Sequence, residues 1–356
     1  APPNTNRALQ NDHVKIKIIK EGASRDEGVV IEVIKRDKVL FVGELQVSRK
    51  EAVLIPDNNR MGVEIIIPLS KINGAKHGQK VLTKITAWPK GSNTPYGEVS
   101  AILGVSGSND AEMLSILYNH GIEPEFPQEV IEEAEYVKIE LEDSEIKKRR
   151  DFRDVLTFTI DPVDAKDFDD ALSIQRLKNG NLEIGVHIAD VSHYVKPNTT
   201  MDKEALKRSN SVYLVDRVIP MLPEQLSNIA CSLRPNEEKY CFSAVFEMDE
   251  SGKIYQEWFG KGVIYSDKRF TYEEAQELIL GGEGDYSSEL KLFDKIAKVM
   301  RKRRLKNGAL SIESEEMRFR LGEDGFPQEV LIKTSKDAHK LVEEFMLLAN
   351  RHVAMF

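Results

Sequence analysis

Short segments in which apolar and polar residues alternate follow one another along the first hundred residues of the chain. Residues 13–20 and 28–34 form one pair of such segments, and five more lie between residues 39 and 103. A period of two places successive side chains on opposite faces of a strand, so each segment is a predicted half-buried strand. Turn residues, such as those of Gly74–Gly78, separate the five later segments. Five short strands divided by turns predict a small closed barrel of the OB type.

The periodicity changes after residue 108. Residues 111–119 and 127–134 carry helical spacing, and Gly121 is expected to end the first of these helices. A nearly continuous charged run at residues 140–150 is expected to be a solvated connector. Beyond it, strand-like runs are mixed with helices that begin at a capping box, Thr271–Glu274, or cover residues 289–304 and 337–356. This mixture predicts an α+β domain.

We therefore expect a multidomain protein in which all-β OB barrels precede a mixed α+β domain. Residues 1–37 are interpreted as the end of a domain whose beginning is absent, because two strands alone are marginally stable. Residues 38–104 form the barrel, residues 105–150 the helical and charged connector, and residues 151–356 the α+β domain. The last helix is still apolar and periodic at Phe356, so the α+β domain is expected to be incomplete at its C-terminal end.

Composition and charge bear on where the protein works and on which partners it can bind. Of the 356 residues, 41% are hydrophobic and 31% are charged. No apolar run approaches the ~18 residues that would cross a bilayer, so we expect no membrane partner. Cys231 and Cys241 are the two cysteines, which favours reduced, buried thiols and a cytoplasmic location. With a net charge of −9, any nucleic acid must be bound by a local basic surface, and we expect a monomer.

The stretch Thr159–Ala171 contains five aspartates among thirteen residues and lies between two predicted strands. Burial and mutual repulsion would raise the pKa values of these carboxyl groups. A hard divalent cation, Mg²⁺ first among candidates, relieves the conflict and suits phosphoryl chemistry. An EF-hand calcium loop is disfavoured, because Val163 and Ala165 stand where oxygen ligands are needed. A nucleotide-sugar transferase motif at Asp167–Asp169 and a solvated acidic turn are weaker interpretations of the same residues.

The same stretch resembles the signature of the ribonuclease II/ribonuclease R (RNB) family. Three further segments resemble motifs of that family in the same order, Val186–Val195, Asn210–Tyr213 with Arg217–Glu224, and Leu341–Asn350. These motifs are closer to bacterial ribonuclease R than to ribonuclease II. Residues 38–104 are similar to the second cold-shock OB domain of the family and residues 1–37 to the end of the first. Residues 151–356 then correspond to the N-terminal portion of the RNB catalytic domain.

The resemblance implies an activity and assigns residues to it. It implies a Mg²⁺-dependent, processive 3′-to-5′ exoribonuclease that hydrolyses single-stranded RNA to nucleoside 5′-monophosphates. Structured RNA with a 3′ overhang is a second candidate substrate. The catalytic, metal-binding aspartates of the family fall on four residues of this chain, Asp161, Asp167, Asp169 and Asp170. Asp164 lies outside that set, and His187, Asp190 and His193 are interpreted as scaffold.

The resemblance also implies candidate RNA contacts. Tyr213 corresponds to an aromatic residue that stacks on the RNA near its 3′ end, and a half-buried core tyrosine is the alternative. Phe319 is a candidate for a second stacking ring, with a core position as the alternative. Glu344 or its neighbour Glu343 is a candidate contact of the terminal nucleotide, with a solvated or capping position on its helix as the alternative.

The chain departs from the family in two respects. The family often carries aromatic residues just before the Pro-Asp pair, whereas residues 52–55 here contain none, so RNA should be held in the barrel mainly by basic side chains and with strong salt dependence. These are Arg49 and Lys50, together with Lys71, Lys76 and Lys84. The family's downstream arginine segment and its further OB domain are also missing from this chain. An arginine there would stabilise charge on the phosphate, so the chain alone is expected to be inactive or nearly so. A non-catalytic RNA-binding protein of the same fold is the alternative.

Overall fold

The computed structural model describes residues 4–22, 25–57, 63–310, 316–322 and 325–356. The chain divides into two compact units. The first comprises Ala1–Glu125 and Leu321–Phe326, and the second comprises Phe126–Arg320 and Pro327–Phe356. None of the helices within the described ranges has the length and apolar character needed to cross a membrane.

The first unit contains the predicted barrel. Its strands are β1 (His13–Lys20), β2 (Glu27–Lys35), β3 (Leu40–Val47), β4 (Ala52–Pro56), β5 (Ile65–Ile67), β6 (Gln79–Ala87) and β7 (Tyr96–Val105). β1 and β2 form a separate antiparallel pair, and the other five close in the order β3-β4-β5-β7-β6. The apolar members of the alternating pattern, such as Leu45, Leu54 and Ile65, are fully buried inside. The prediction of a five-stranded barrel is confirmed.

Helix α1 (Asn109–Asn119) follows the barrel and packs against its strands. The Ser108 hydroxyl caps its first turn by accepting a hydrogen bond from the Ala111 amide at 3.4 Å. Gly121 lies just beyond the last turn with φ +74°, a left-handed conformation that glycine adopts without strain. The predicted end of this helix is therefore confirmed.

The second unit is a mixed α+β domain, as predicted. Its elements include α2 (Gln128–Glu135), α3 (Asp143–Ile146), β8 (Arg150–Asp151), β9 (Thr157–Asp161), β10 (Asp170–Arg176), β11 (Leu182–Ala189), α4 (Val191–Tyr194), α5 (Thr200–Arg208), β12 (Val212–Tyr213), β13 (Val218–Ile219), β14 (Glu238–Met248), β15 (Ile254–Tyr265), β16 (Lys268–Thr271), α6 (Tyr272–Ile279), α7 (Ser287–Lys306), β17 (Glu316–Leu321, whose last residue belongs to the first unit), β18 (Pro327–Lys333) and α8 (Asp337–Met355). Seven of the strands form one sheet in the order β16-β9-β10-β11-β14-β15-β8. β16 and β9 run parallel, and β9 through β15 pair antiparallel.

Both faces of this sheet are covered, and strand alternation decides which residue faces which layer. In β10, Leu172 and Ile174 lie in a core shared with α6, α7 and α8. Ala171, one residue away, belongs to the core on the opposite face, which includes residues of α2 and α5. The predicted capping box begins α6, since the Glu274 amide donates to Thr271 Oγ1 at 3.1 Å and Glu274 Oε2 accepts from the Thr271 amide at 2.8 Å.

The charged run at residues 140–150 differs from the solvated connector that we expected. Arg149 is buried, at 7% exposure, and its Nη2 lies 2.7 Å from an Asp190 carboxylate oxygen. The same guanidinium stacks on the Tyr240 ring at 4.2 Å. A charge can be buried when it is paired and hydrogen-bonded, and a run of charged letters does not reveal that pairing. This end of the run is therefore anchored in the second unit.

Candidate active site

The four predicted catalytic aspartates lie at one end of two neighbouring strands. Asp161 is the last residue of β9, and Asp170 is the first residue of β10. The two strands pair antiparallel, with Phe158 opposite Leu172. The residues between them, 162–169, are called the aspartate loop below. Because the loop simply joins the paired ends, it carries Asp167 and Asp169 to the same edge of the sheet.

Hydrogen bonds from the segment around Ser232 fix the second half of the aspartate loop. The buried Ser232 hydroxyl donates to the Lys166 carbonyl and accepts from the Phe168 amide, both at 3.0 Å. The Leu233 amide donates to the Phe168 carbonyl at 2.8 Å, and the Ala189 amide donates to the Asp169 carbonyl at 3.0 Å. Phe168 itself is buried, so its ring also anchors the loop.

The carboxyl groups affect one another electrostatically. Burial raises the pKa of Asp161 to about 7; the Thr159 side chain acts to lower this pKa, and the charges of Asp170 and Asp169 act to raise it. Burial, with the charge of Asp169, raises the pKa of Asp170 to about 6. The pKa of Asp169 is also raised, by loss of solvent and by Asp167, although its side chain reaches the surface. The sequence-based expectation of raised pKa values is therefore confirmed for these three groups.

The donor chemistry at this site fits a divalent cation. Asp161 Oδ2 is buried and accepts no hydrogen bond from any described residue. An uncompensated carboxylate oxygen in that position is unfavourable unless it is protonated or bound to a cation. Among the described residues, no three or more His, Cys, Asp or Glu side chains lie close enough together to bind one metal ion. The fit therefore rests on the unpaired Asp161 oxygen and on the raised pKa values.

Two side chains near the aspartates were missed by sequence reasoning. Arg269, on β16, donates from Nη2 to the carbonyl oxygens of Pro162 and Val163, and its positive charge lowers the pKa of Asp161 against the effect of burial. Tyr272 stacks on the His339 ring with centroids 4.0 Å apart. Burial raises the pKa of the Tyr272 phenol to about 12, and the charges of Asp170 and Asp161 add to the shift. The sequence feature that we recognised in this segment was the capping box Thr271–Glu274, which predicts the start of a helix and says nothing about contacts with the aspartates.

Tyr213 is the candidate RNA contact that the structure places beside the aspartates. Its side chain is 68% exposed, so the alternative of a half-buried core tyrosine is wrong. Loss of solvent raises the pKa of its phenol, and the charges of Asp167 and Asp169 contribute. The ring is therefore both accessible and close to the acidic end of the sheet. Its stacking on RNA stays a prediction.

Phe319 lies on β17 and is 39% exposed, so the alternative of a core position is wrong. The neighbouring Arg318 has its Nη1 3.9 Å from Asp164 Oδ1, which connects β17 to the aspartate loop. Asp164 is otherwise well exposed, with 74% of its side-chain surface accessible. The role of Phe319 as a second stacking ring stays a prediction.

Glu344 is 3% exposed, so the alternative of a solvated position is wrong for this residue. Its Oε1 lies 2.6 Å from Arg304 Nη2, in the contact between α7 and α8. Glu343 also reaches Arg304 Nη2, at 3.0 Å. An RNA contact by Glu344 stays a prediction, and it would have to compete with this ion pair.

The proposed basic contacts of the barrel are distributed on its surface. Arg49 and Lys50 lie exposed in the turn between β3 and β4. Lys76 and Lys84 are also exposed, whereas Lys71 pairs with Glu98 at 3.3 Å. Arg49 and Lys50 are thus accessible to a phosphate backbone.

His187 is a satisfied core residue. It is fully buried, with Nε2 2.8 Å from Ser173 Oγ and Nδ1 2.7 Å from Ser243 Oγ. Burial lowers its pKa to about 3, so it is neutral at pH 7. Gly185 leaves the necessary room, since a Cβ there would stand 2.5 Å from His187 Nε2. This arrangement agrees with a scaffold role.

Asp190 belongs to the ion pair that anchors the charged run, and His193 contacts the same guanidinium. Burial acts to raise the pKa of Asp190, but hydrogen bonds from Ser192 and Arg149 outweigh it and hold the pKa below its usual range. His193 Nδ1 lies 3.3 Å from Arg149 Nη2. Cys231 and Cys241 are free, buried thiols, as predicted.

The described fold therefore combines an OB-type barrel with a mixed α+β domain that carries acidic residues at one end of two paired strands. Two domain families match the chain, the Cold shock domain over residues 54–127 and the RNB domain over residues 149–356. The chain belongs to the RNB family. Ribonuclease R of Thermotoga maritima is 36% identical to it over 364 residues, covering 99% of this chain and 51% of the relative. The chain thus spans about half the length of the curated relatives that it matches.

Solved structures agree with this assignment. Mycoplasma genitalium RNase R in complex with ribose-methylated single-stranded RNA is similar at a TM-score of 0.91 and 27% identity, covering 99% of this chain and 57% of that chain. The complex of the same protein with double-stranded RNA is similar at a TM-score of 0.87 and 27% identity, covering 100% of this chain and 61% of that one. The fold class predicted from the sequence is confirmed.

Proposed function

We propose that this chain is the barrel and acidic part of a Mg²⁺-dependent, processive 3′-to-5′ exoribonuclease that hydrolyses single-stranded RNA to nucleoside 5′-monophosphates. The observation that carries the proposal is the aspartate edge of an RNB domain, where Asp161, Asp169 and Asp170 have raised pKa values and Asp161 Oδ2 is unpaired. A bound cation would compensate these carboxylates when they are ionised. Family membership and the similarity to an RNase R bound to single-stranded RNA support the same activity.

Each group has a place in the proposed mechanism. Asp161, Asp167, Asp169 and Asp170 would hold Mg²⁺, which would polarise the scissile phosphate and lower the pKa of a water molecule. Tyr213 stacks on a base near the 3′ end and keeps the terminal phosphodiester at the aspartates. Phe319 and Glu344 are proposed as further contacts of the RNA end. A stack accepts any base, which suits degradation without sequence preference.

We also propose the domain division that the sequence suggests. Residues 1–37 end a first cold-shock domain, residues 38–104 form the second, residues 105–150 connect, and residues 151–356 are the N-terminal portion of the catalytic domain. The protein acts as a monomer in the cytoplasm, where its free thiols stay reduced. RNA with a structured body and a 3′ overhang is the second proposed substrate, supported by the similarity to an RNase R bound to double-stranded RNA.

The activity is tested by incubating 5′-labelled single-stranded RNA with Mg²⁺ and either the natural full-length protein or the 356-residue chain. We expect the full-length protein to shorten the RNA from its 3′ end and release nucleoside 5′-monophosphates, and EDTA to stop the reaction. The 356-residue chain should bind the RNA without shortening it. A full-length protein that binds RNA and leaves it intact would favour a non-catalytic RNA-binding protein, and degradation that persists in EDTA would contradict the metal requirement.

Tyr213→Ala should weaken binding of single-stranded RNA to the 356-residue chain. Loss of base stacking is worth about 1–3 kcal/mol, or roughly a 5- to 150-fold increase in Kd. Tyr213→Phe keeps the ring and should bind like the parent. Fluorescence anisotropy with 5′-labelled RNA in EDTA measures both variants. Tyr136→Ala removes another exposed tyrosine, at 86% exposure, and serves as the control. Equal affinities for Tyr213→Ala and Tyr136→Ala would refute the stacking role.

The double variant Arg49→Ala/Lys50→Ala should reduce the salt dependence of RNA binding. Each phosphate contact to a single strand contributes about 0.7 to the slope of log Kobs against log salt concentration. Losing two contacts should therefore lower the magnitude of the slope by about 1.4. Anisotropy titrations across a range of NaCl concentrations give the slope. An unchanged slope would mean that this turn does not contact the RNA backbone.

A further inference from the structure

The aspartate loop must be held at both of its halves if its carboxylates are to act on one ion. The second half is fixed by the Ser232 hydroxyl and the Leu233 amide. The first half has one internal backbone bond among the described residues, from the Ala165 amide to the Pro162 carbonyl at 3.1 Å. Val163 and Asp164 are exposed, so packing contributes little there. The first half therefore depends on whatever else reaches it.

Arg269 reaches the backbone of the first half of the loop, where Arg318 approaches the Asp164 side chain at 3.9 Å. Its Nη2 donates to the Pro162 carbonyl and, at 3.1 Å, to the Val163 carbonyl. Its guanidinium also lies over the buried Phe168 ring, 5.5 Å from the centroid, at the far end of the same loop. One planar group thus joins the beginning of the loop to its end. The parallel pairing of β16 with β9, which sets Arg269 opposite Thr159, brings it there.

The chemistry of arginine suits this task better than that of lysine. A guanidinium presents several donors in one plane and stacks on a ring with its face, whereas an ammonium acts as a point charge. Arg269 Nε is buried and has no acceptor among the described residues. The side chain therefore sits where it contacts the loop, at the cost of one unsatisfied donor. Its positive charge also lies near Asp161.

We propose that Arg269 is a positioning residue, which clamps residues 162–168 so that Asp161 and the Asp167–Asp170 end of the loop are held in register for a cation. The inference rests on the proposed metal-dependent function of the aspartates. Arg269 touches the loop backbone and the Phe168 ring, and it acts on the reaction through them. Groups that fix metal ligands from outside typically change metal affinity by about 10- to 100-fold when they are removed.

The first test follows the loop without any metal. Hydrogen–deuterium exchange of the 356-residue chain in EDTA reports the Ala165 and Phe168 amides, which both take part in hydrogen bonds. Arg269→Ala should speed exchange at these amides about tenfold, while amides of the β10–β11 pair exchange as in the parent. Arg303→Ala is the matched control, because Arg303 also donates to two successive carbonyls, those of Ser251 and Gly252, at 2.9 and 3.1 Å. Unchanged exchange in Arg269→Ala would overturn the clamp.

The second test measures binding of Mn²⁺ by its paramagnetic resonance signal. Arg269→Ala should raise the Kd for Mn²⁺ at least about tenfold, and millimolar guanidinium chloride should restore much of the affinity. Arg269→Lys keeps a positive charge, which by itself repels Mn²⁺, and lacks the planar fork of donors, so it should restore little of the affinity. Full recovery by lysine would show that the planar guanidinium is not needed and would overturn the positioning claim. If Arg269→Ala does not fold, amide exchange and the Kd for Mn²⁺ are measured in Arg269→Lys instead and compared with those of Arg303→Ala. If the parent binds no Mn²⁺, the proposed metal function fails, and the exchange experiment still decides the clamp.

Discussion

Asp170→Asn should nearly abolish RNA degradation by the natural full-length protein. Asp170 begins β10 beside Asp169, and its raised pKa shows that its carboxylate is poorly compensated by the protein alone. Asparagine keeps the shape of the side chain but removes the negative charge that would hold the cation. Because catalysis of this kind rests on charge placed at the reacting phosphate, we expect the rate to fall at least about 10²- to 10³-fold. Release of nucleoside 5′-monophosphates from labelled RNA measures it.

The control for this substitution is Asp164→Asn, which makes the same change in the same loop. Asp164 is exposed and pairs loosely with Arg318, at 3.9 Å. We expect Asp164→Asn to keep a rate within a few-fold of the parent. If Asp170→Asn retained more than a tenth of the parent rate, or if both variants lost activity equally, the assignment of the catalytic aspartates would be wrong.

A thermal-shift titration separates loss of metal binding from loss of fold. A ligand that binds only the native state raises the midpoint of unfolding as its concentration increases. MgCl₂ should therefore raise the midpoint of the parent chain and leave Asp161→Asn/Asp170→Asn unaffected. An equal response of the two proteins would locate the cation elsewhere.

The parts of this molecule that sequence predicts well are those whose signals are local. Alternation marks each barrel strand, and Gly121 marks the end of α1, because period and turn chemistry act within a few residues. The aspartate edge is predictable for a related reason. Asp161 and Asp170 lie at the two ends of one short connection, so strand pairing alone brings them together.

The parts that could not be predicted depend on pairing between distant segments. Arg269 reaches Pro162 across 107 residues, because β16 joins the sheet beside β9 in parallel. Arg149 is buried against Asp190, and Glu344 against Arg304, although each belongs to a stretch with the charge pattern of an exposed surface. A charged side chain must be either solvated or paired with an opposite charge. The sequence shows the charge, but only the tertiary structure shows which of the two applies.

Asp161→Asn should make the metal-free chain more stable at neutral pH than the parent. Burial raises the folded-state pKa of Asp161 to about 7, whereas the unfolded chain has the ordinary value of about 3.9. Below pH 4 the carboxyl group is protonated in both states and has no effect. Between pH 4 and 7 the native state retains the proton that the unfolded state releases, so stability falls as the pH rises. At 1.36 kcal/mol per pKa unit, the free energy of unfolding falls by about 4 kcal/mol at most between pH 4 and pH 7. This is an upper value, because Asp170 titrates in the same site.

Urea unfolding in EDTA from pH 4 to pH 8 measures this difference. The gap between Asp161→Asn and the parent should be small at pH 4 and should widen, in favour of the variant, up to about pH 7. Asp164→Asn, an exposed change in the same loop, should stay within about 0.5 kcal/mol of the parent at every pH. Saturating Mg²⁺ should then reverse the order, because only the parent keeps the carboxylate charge that would hold the cation. A parent that gains stability over Asp161→Asn as the pH rises in EDTA would show that the protein itself compensates this carboxylate, and the main argument for a cation at the aspartate edge would be lost.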